Sequence, residues 1–304
     1  MSSHVIICTH TTRHLARTLL GVACQTVTPD SVLVSCDNDA ADIAELTREC
    51  SQRFSLRITL VQRPHQGASR SSQVRNNAVR ALIAGPHHQT DRLWFLDGDC
   101  CPAPDALAVH EKLGDGNRLV VGFRVDLTPE QTDLMSEDIM RQGLWPIQPT
   151  HGQFAQLQSR HRRYVRAAWI RRLGLCKPHK PKLLSANFSV SLQAYLNING
   201  FDEEYTGYGQ EDDDLGRRLY KAGVLPVVGV ASAMVFHQYH PTRAPGAWLD
   251  SPNAARFLRP FRARCLHGVE NPAAQPEPII TLYAPPVRGD VSAAPRRPSP
   301  HHSA

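Results

Sequence analysis

No stretch of this 304-residue chain reaches the run of about 18 consecutive apolar residues that a membrane-crossing helix requires. Its eight cysteines form no CxxC pair, which argues against a zinc site or a disulfide framework and for reduced thiols. There is no GxGxxG, no P-loop and no internal repeat, so a Rossmann dinucleotide site, a Walker-type NTPase and a solenoid are all disfavoured. The first residues run straight into an apolar segment without a basic n-region or a long h-region, so a secretory leader is not expected and the cytoplasm is the expected location. Acidic residues are wholly missing from 159–182, which hold nine of the 34 Lys and Arg; the rest of the chain has 25 basic against 28 acidic residues. The net charge of +6 therefore describes one surface and not the whole fold.

What is present reads as an α/β protein with a mainly parallel central sheet flanked by helices. Apolar strand patterns at 4–8, 32–35, 56–61 and 93–96 alternate with helical periodicity at 13–24, 43–50 and 72–83. Ligands of such sheets gather at the carboxyl ends of the strands, which makes the loops at 9–13 and 37–39 the first candidates. A further strand is expected at 119–125. Residues 128–182 are more polar and mostly helical in pattern, and are expected to form an insertion that caps the sheet. Strand patterns return at 183–190, 224–230 and 233–236, with a short helix at 193–199 and another within 245–265. The expected organisation is one catalytic domain over 1–270, divided into a nucleotide-binding half (1–127), the basic insertion (128–182) and an acceptor half (183–270). Residues 271–304 are Pro-rich and are expected to form a disordered tail.

Three clusters carry candidate chemistry. Asp97-Gly98-Asp99 ends the strongly apolar segment LWFL; two carboxylates spaced i, i+2 suit a divalent cation that also holds a diphosphate, while a surface turn is the ordinary alternative. His237 follows another apolar strand and suits Mn²⁺ better than Mg²⁺; a histidine making common hydrogen bonds is its alternative, and His240 is a less favoured substitute. Glu211, Asp212, Asp213 and Asp214 crowd the start of an amphipathic segment, where the helix dipole favours negative charge. A solvated helix start is the alternative reading of that run. Asp37 could accept hydrogen bonds from a base or ribose, or serve as a cap. Arg75 could pair with phosphate, or be a solvated helix arginine.

Taken in order, these pieces resemble a nucleotide-sugar glycosyltransferase of the GT-A type, close to glycosyltransferase family 2. The resemblance runs over 5–241: VIICTHTTRHLARTLLGVACQT, VLVSCDNDAAD, GASRSSQVRNNAV, LWFLDGDC, then SANFSV, GFDEEYTGYGQEDDDLGRRLYKAG and VFHQYHP. The last three are similar to the C-terminal half of galactosyltransferases. The opening loop, Cys-Thr-His-Thr, and Asp37-Asn38-Asp39 depart from the usual family patterns.

The resemblance implies that Thr9, Asp37, Arg75 and Asp97 contact the nucleotide, that Asp99, His237 and Asp97 bind Mn²⁺ (or Mg²⁺), and that Asn187, Gly207, Tyr208 and Gly209 line the sugar or acceptor site. It makes Asp212 the catalytic base, with Glu211 beside it. The implied reaction is metal-dependent, inverting transfer of a sugar from a nucleotide-diphosphate sugar, UDP-sugar favoured, to a glycan or lipid-linked acceptor hydroxyl in glycan or polysaccharide biosynthesis. A nucleotidyltransferase and a catalytically silent binder of an anionic surface on the same fold are the other readings. Aromatic residues are too thin in 159–182 for base stacking, so no nucleic acid is expected; peripheral contact with the inner membrane face through 159–182, or a solvated basic helix, remain for that segment.

Overall fold

The computed structural model describes residues 2–142, 145, 147–241, 251 and 253–285. Its first half alternates strand and helix: β1 (Ser3–Thr9), α1 (Leu15–Ala23), β2 (Ser31–Cys36), α2 (Ala41–Phe54), β3 (Ile58–Gln62), α3 (Ser71–Ile83), β4 (Arg92–Asp97), β5 (Cys100–Pro102) and α4 (Ala106–Leu113). The strands β3, β2, β1 and β4 are mutually parallel neighbours. Their near-continuous apolar sequences fit burial on both sheet faces, which helices cover. Val5, Ile7, Trp94 and Leu96 pack on one face with α1 and α2, while Ile6, Leu93 and Phe95 pack on the other with α3 and the later helices.

The second half adds β6 (Arg118–Val121), β7 (Phe123–Asp126), α5 (Pro129–Asp133), α6 (Glu137–Arg141), α7 (His151–Arg172), β8 (Asn187–Ser191), α8 (Leu192–Asn197), α9 (Glu211–Lys221), β9 (Leu225–Val228), β10 (Met234–His237), α10 (Ala254–Phe257) and β11 (Ile279–Tyr283). The large sheet has the order β11-β3-β2-β1-β4-β8-β6-β9. Strand β8 is antiparallel to both β4 and β6, and β11 is antiparallel to β3. A second, three-stranded sheet has the order β5-β10-β7.

Two expectations need correction. The single strand expected at 119–125 is two strands in different sheets. The break falls at Gly122, where a Cβ would come within 2.5 Å of the Asn187 side chain, so the chain passes over Asn187 with no room for a side chain. Residues 271–285 are ordered and not part of a disordered tail. Ala273 donates its N–H to the buried Glu203, Gln275 and Asn77 exchange side-chain hydrogen bonds, and Ile279–Tyr283 forms the edge strand beside β3. Of the helix expected within 245–265, the described residues contain only Ala254–Phe257; 245–250 and 252, like 286–304, lie outside them.

Candidate active site

The parallel strands bring three sequence-selected residues to one end of the sheet: Thr9 closes β1, Asp37 follows β2 and Asp97 closes β4. Asp37 is buried and heavily partnered. Its Oδ1 accepts from Arg63 Nη2 at 2.5 Å, its Oδ2 accepts from the Arg70 N–H at 3.1 Å, and His65 Nδ1 lies 3.3 Å from Oδ2. Arg63 was not singled out in the sequence. It stands directly after β3, and only the β2–β3 register, which pairs Cys36 with Gln62, brings it to Asp37.

Gly98 turns the chain from β4 into β5. A Cβ there would meet the Thr9 side chain at 2.6 Å, so the residue between the two aspartates must be glycine because β1 lies against it. The small sheet then assembles the histidine cluster. Its register pairs His237 with Cys100 on one side and with Asp126 on the other. Asp99, one residue before Cys100, accordingly lies beside His237: Asp99 Oδ2 is 3.4 Å from His237 Nε2 and 3.0 Å from His240 Nε2. The two imidazole Nε2 atoms are 3.3 Å apart. Three donor atoms thus converge on one point, and the other ring nitrogen of His237 is 2.9 Å from Asp126 Oδ1, the carboxylate–histidine arrangement that orients a metal ligand.

Two imidazoles and a carboxylate fit a transition-metal dication such as Mn²⁺ or Zn²⁺ better than Mg²⁺. Asp97, Asp99 and Cys100 form an overlapping group. Burial disfavours charge on His237, yet its contacts with Asp126 and Asp99 outweigh that and hold its pKa at about 9. Burial pushes Asp99 upward, but the hydrogen bonds from His237 and Cys100 and the charge of Arg124 bring it well below the usual carboxylate range.

His240 is more central than the sequence suggests. The loop that carries it is held by distant partners: Tyr239 donates its N–H to Thr132 Oγ1 at 2.8 Å, His14 Nε2 contacts the Tyr239 carbonyl at 3.0 Å, and Gln238 donates its N–H to the Asp99 carbonyl at 2.9 Å. The HxxH spacing is the one signal that could have paired it with His237.

On the other side, α9 opens with the four acids in its first turn. Gly207, Gly209 and Gln210 all have positive φ, which turns the chain sharply into the helix. The acids then separate by partner. Asp214 is buried and accepts from Tyr205, Arg217 and Arg218, at 2.7 Å and 2.6 Å for the two arginines. Asp213 pairs through Oδ2 with Lys182 at 3.0 Å, and its Oδ1 is buried without a partner. Asp212 accepts one hydrogen bond, from the Ser185 N–H to Oδ2 at 3.0 Å, and its buried Oδ1 has no partner. Burial and the adjacent Glu211 charge raise its pKa to about 7, with Arg75 partly opposing them. Glu211 is raised too, chiefly by burial.

Arg75 joins the two sides. It is buried, its Nη2 donates to Asp97 Oδ1 at 2.7 Å and to Ser185 Oγ at 2.8 Å, and Asp97, Asp212 and Glu211 all favour its charge. It is therefore an interior arginine among acids and not the solvated one. Ser185 touches both Arg75 and Asp212 and has no sequence signal of its own.

One expected site residue is corrected. Asn187 is fully buried and saturated: Oδ1 accepts from Trp94 Nε1 and contacts His110 Nε2, and Nδ2 donates to the carbonyls of Phe123 and Ala233. It locks β8 to both sheets and has no free atom for a sugar. Tyr208 is 81% exposed between Gly207 and Gly209.

Known glycosyltransferases resemble this chain in part of its sequence and in its fold. The family described as the N-terminal domain of galactosyltransferase matches residues 174–240. Chondroitin synthase of Escherichia coli is 24% identical over 92% of this chain and 42% of its own length. A validoxylamine A glucosyltransferase of Streptomyces hygroscopicus subsp. jinggangensis is 33% identical over 28% of this chain and 21% of its own. The chain thus spans less than half the length of these relatives. The crystal structure of GalNAc-T7 with UDP, GalNAc and Mn²⁺ superposes with a TM-score of 0.50 at 13% identity, covering 79% of this chain and 44% of that one. The fold is of the GT-A type. Within it, this chain carries a galactosyltransferase-like segment at 174–240, which contains α9 and both histidines of the donor cluster.

Proposed function

We infer that the protein is a metal-dependent, inverting glycosyltransferase that moves a sugar from a nucleotide-diphosphate sugar to an acceptor hydroxyl in glycan or polysaccharide biosynthesis. One observation carries this reading. Contacts run from the convergent donors Asp99, His237 and His240 through Asp97 and Arg75 to Ser185 and the under-partnered Asp212 carboxylate. The GalNAc-T7 complex, which contains UDP and Mn²⁺, supports a UDP-sugar as donor and Mn²⁺ as the metal here. Eight free thiols fit a reducing compartment and hence the cytoplasm.

The Asp37–Arg63 pair, with His65, is the proposed base and ribose pocket, and Thr9 borders it. Asp97 is the proposed ribose or metal contact, fixed by Arg75. Asp99, His237 and His240 would hold a divalent cation, which would supply charge neutralisation for the departing diphosphate. Asp212 takes the proton of the acceptor hydroxyl as that oxygen forms its bond to the anomeric carbon. The bond from the anomeric carbon to the diphosphate oxygen breaks, and the nucleoside diphosphate leaves with the electron pair. Attack opposite the leaving group inverts configuration. A base pKa of about 7 suits this work near neutral pH. Glu211 keeps the Asp212 proton affinity high, and Arg75 keeps it from rising further. The Gly207–Gly209 turn with Tyr208 is the proposed acceptor rim.

The test is a thermal-shift titration of UDP and UDP-sugars with and without Mn²⁺. Wild type should show donor stabilisation that grows with Mn²⁺. Asp99→Ala and His240→Ala should each lose the Mn²⁺-dependent part, with metal affinity lowered by at least about 100-fold. Donor binding that is indifferent to Mn²⁺ in all three proteins would remove the metal from the reading.

A further inference from the structure

Helix α7 is 22 residues long, carries six arginines and no acid, and buries only Leu157. One side of it is fixed to the body of the protein. Arg160 lies over the Phe123 ring at 3.7 Å, and Arg171 lies over Tyr220 at 4.1 Å and donates to the carbonyls of Lys177, Pro178 and Lys180. The opposite side faces outward. Val165, Trp169 and Leu173, spaced i, i+4, i+8, are 45%, 60% and 54% exposed. Val165 and Trp169 border a shallow depression shared with His161, Arg162 and Arg166. No carboxylate among the described residues pairs with Arg162, Arg163 or Arg166. An outward tryptophan at the centre of an apolar stripe, edged by unpaired arginines, has the amphipathic composition of a helix that lies in a bilayer interface.

We propose that α7 docks flat on an anionic phospholipid bilayer, with Val165, Trp169 and Leu173 in the interface and Arg162, Arg163 and Arg166 on the headgroups. The partner is fixed by charge complementarity and by the apolar stripe: a soluble polyanion explains the arginines but leaves Trp169 and Leu173 without a role. Docking also sets the direction of the active site. Arg171 on Tyr220 and Lys182 on Asp213 tie this region to α9, so the acceptor-side helix is held at a fixed relation to the membrane plane. An acceptor anchored in the same bilayer would then meet Asp212 from that side. The docking stands apart from the proposed transfer reaction and is tested without any donor.

The full chain is mixed with vesicles of phosphatidylcholine alone, or of phosphatidylcholine with phosphatidylglycerol, and the bound fraction is read by sedimentation. Binding to the mixed vesicles that weakens with added salt, and none to neutral ones, is the expected result. The triple variant R162A/R163A/R166A should lower the partition coefficient on the order of 100-fold, and Trp169→Ala by roughly tenfold. Replacing the same three arginines by lysine should restore most of the binding, which separates lost charge from lost folding. Absence of vesicle binding, equal binding to both vesicle types, unchanged binding of the alanine variant, or capture of RNA with none of vesicles would each overturn the proposal.

Discussion

Helices α7 and α9 are both dense in charge of one sign at their most conspicuous stretch, and the molecule treats them in opposite ways. In α9 the acids are sorted by partner: Asp214 sits between two buried arginines, Asp213 has one oxygen on Lys182 and one left over, and Asp212 has one left over and no cation on the other. In α7 the arginines that do not touch an aromatic ring or a carbonyl point outward, with no carboxylate among the described residues to meet them. A run of like charge therefore has no single meaning. Buried, it requires either full compensation or a task that uses the uncompensated group. Exposed, it costs little and leaves a surface open to a counter-charge.

The comparison is broken most severely at Asp212. Asp212→Asn should reduce transfer by about 100- to 10,000-fold while leaving Mn²⁺-dependent donor binding in place, because only the proton acceptor is lost. Near-normal turnover would move the base elsewhere. The same variant has an opposite effect on stability. A folded pKa of about 7, against an ordinary 3.8, means the carboxyl favours folding fully below about pH 4, and that contribution is lost as pH rises to about 7. The Asn variant should thus melt above wild type at pH 8, and the gap should close as pH falls towards 4. In the wild type, kcat should rise with pH through about 7 and then level. A flat profile, or an Asn variant that melts lower at pH 8, would contradict the uncompensated carboxylate.

Next in size is Asp214. Asp214→Ala leaves Arg217 and Arg218 buried without their anion and should cost about 3–5 kcal/mol. Urea unfolding is the measurement. Any loss of turnover should then track the loss of folded protein, which is the reverse of the Asp212 result. A cost under about 1 kcal/mol would mean that the pair is solvated in solution.

Much of the architecture is legible in the residues. The parallel half of the sheet follows from apolar runs punctuated by loops, and the inward face of α9 follows from Leu215 and Leu219, both fully buried. What the chain order hides is set by partners far away in sequence. The continuous apolar run at 119–125 splits because the Asn187 side chain occupies the space at Gly122. The five residues of β11 are obscured by proline-rich neighbours, yet they find a free edge on β3. Asn187 belongs to a site-like motif, but burial and four partners make it structural. His240 is read as secondary because a strand end says nothing of how the following loop turns; Thr132, His14 and Asp99 decide that. Arg63 is hidden for the same reason, since register and not sequence proximity brings it to Asp37.

The smallest expected effect tests the other half of the comparison. Arg166 is exposed, and no carboxylate among the described residues pairs with it. Removing it discards no buried contact and strands no partner, so Arg166→Ala should change unfolding stability by no more than about 0.5 kcal/mol. It should also leave transfer to a soluble acceptor at the wild-type rate. Because the arginine sits among like charges, its removal relieves repulsion along α7, and at low salt the shift should lie on the stabilising side and fade as salt rises. A destabilisation above about 1 kcal/mol would show that Arg166 is engaged in the fold. In that case α7 would resemble α9 in having compensated charge, and the contrast between the two helices would fail.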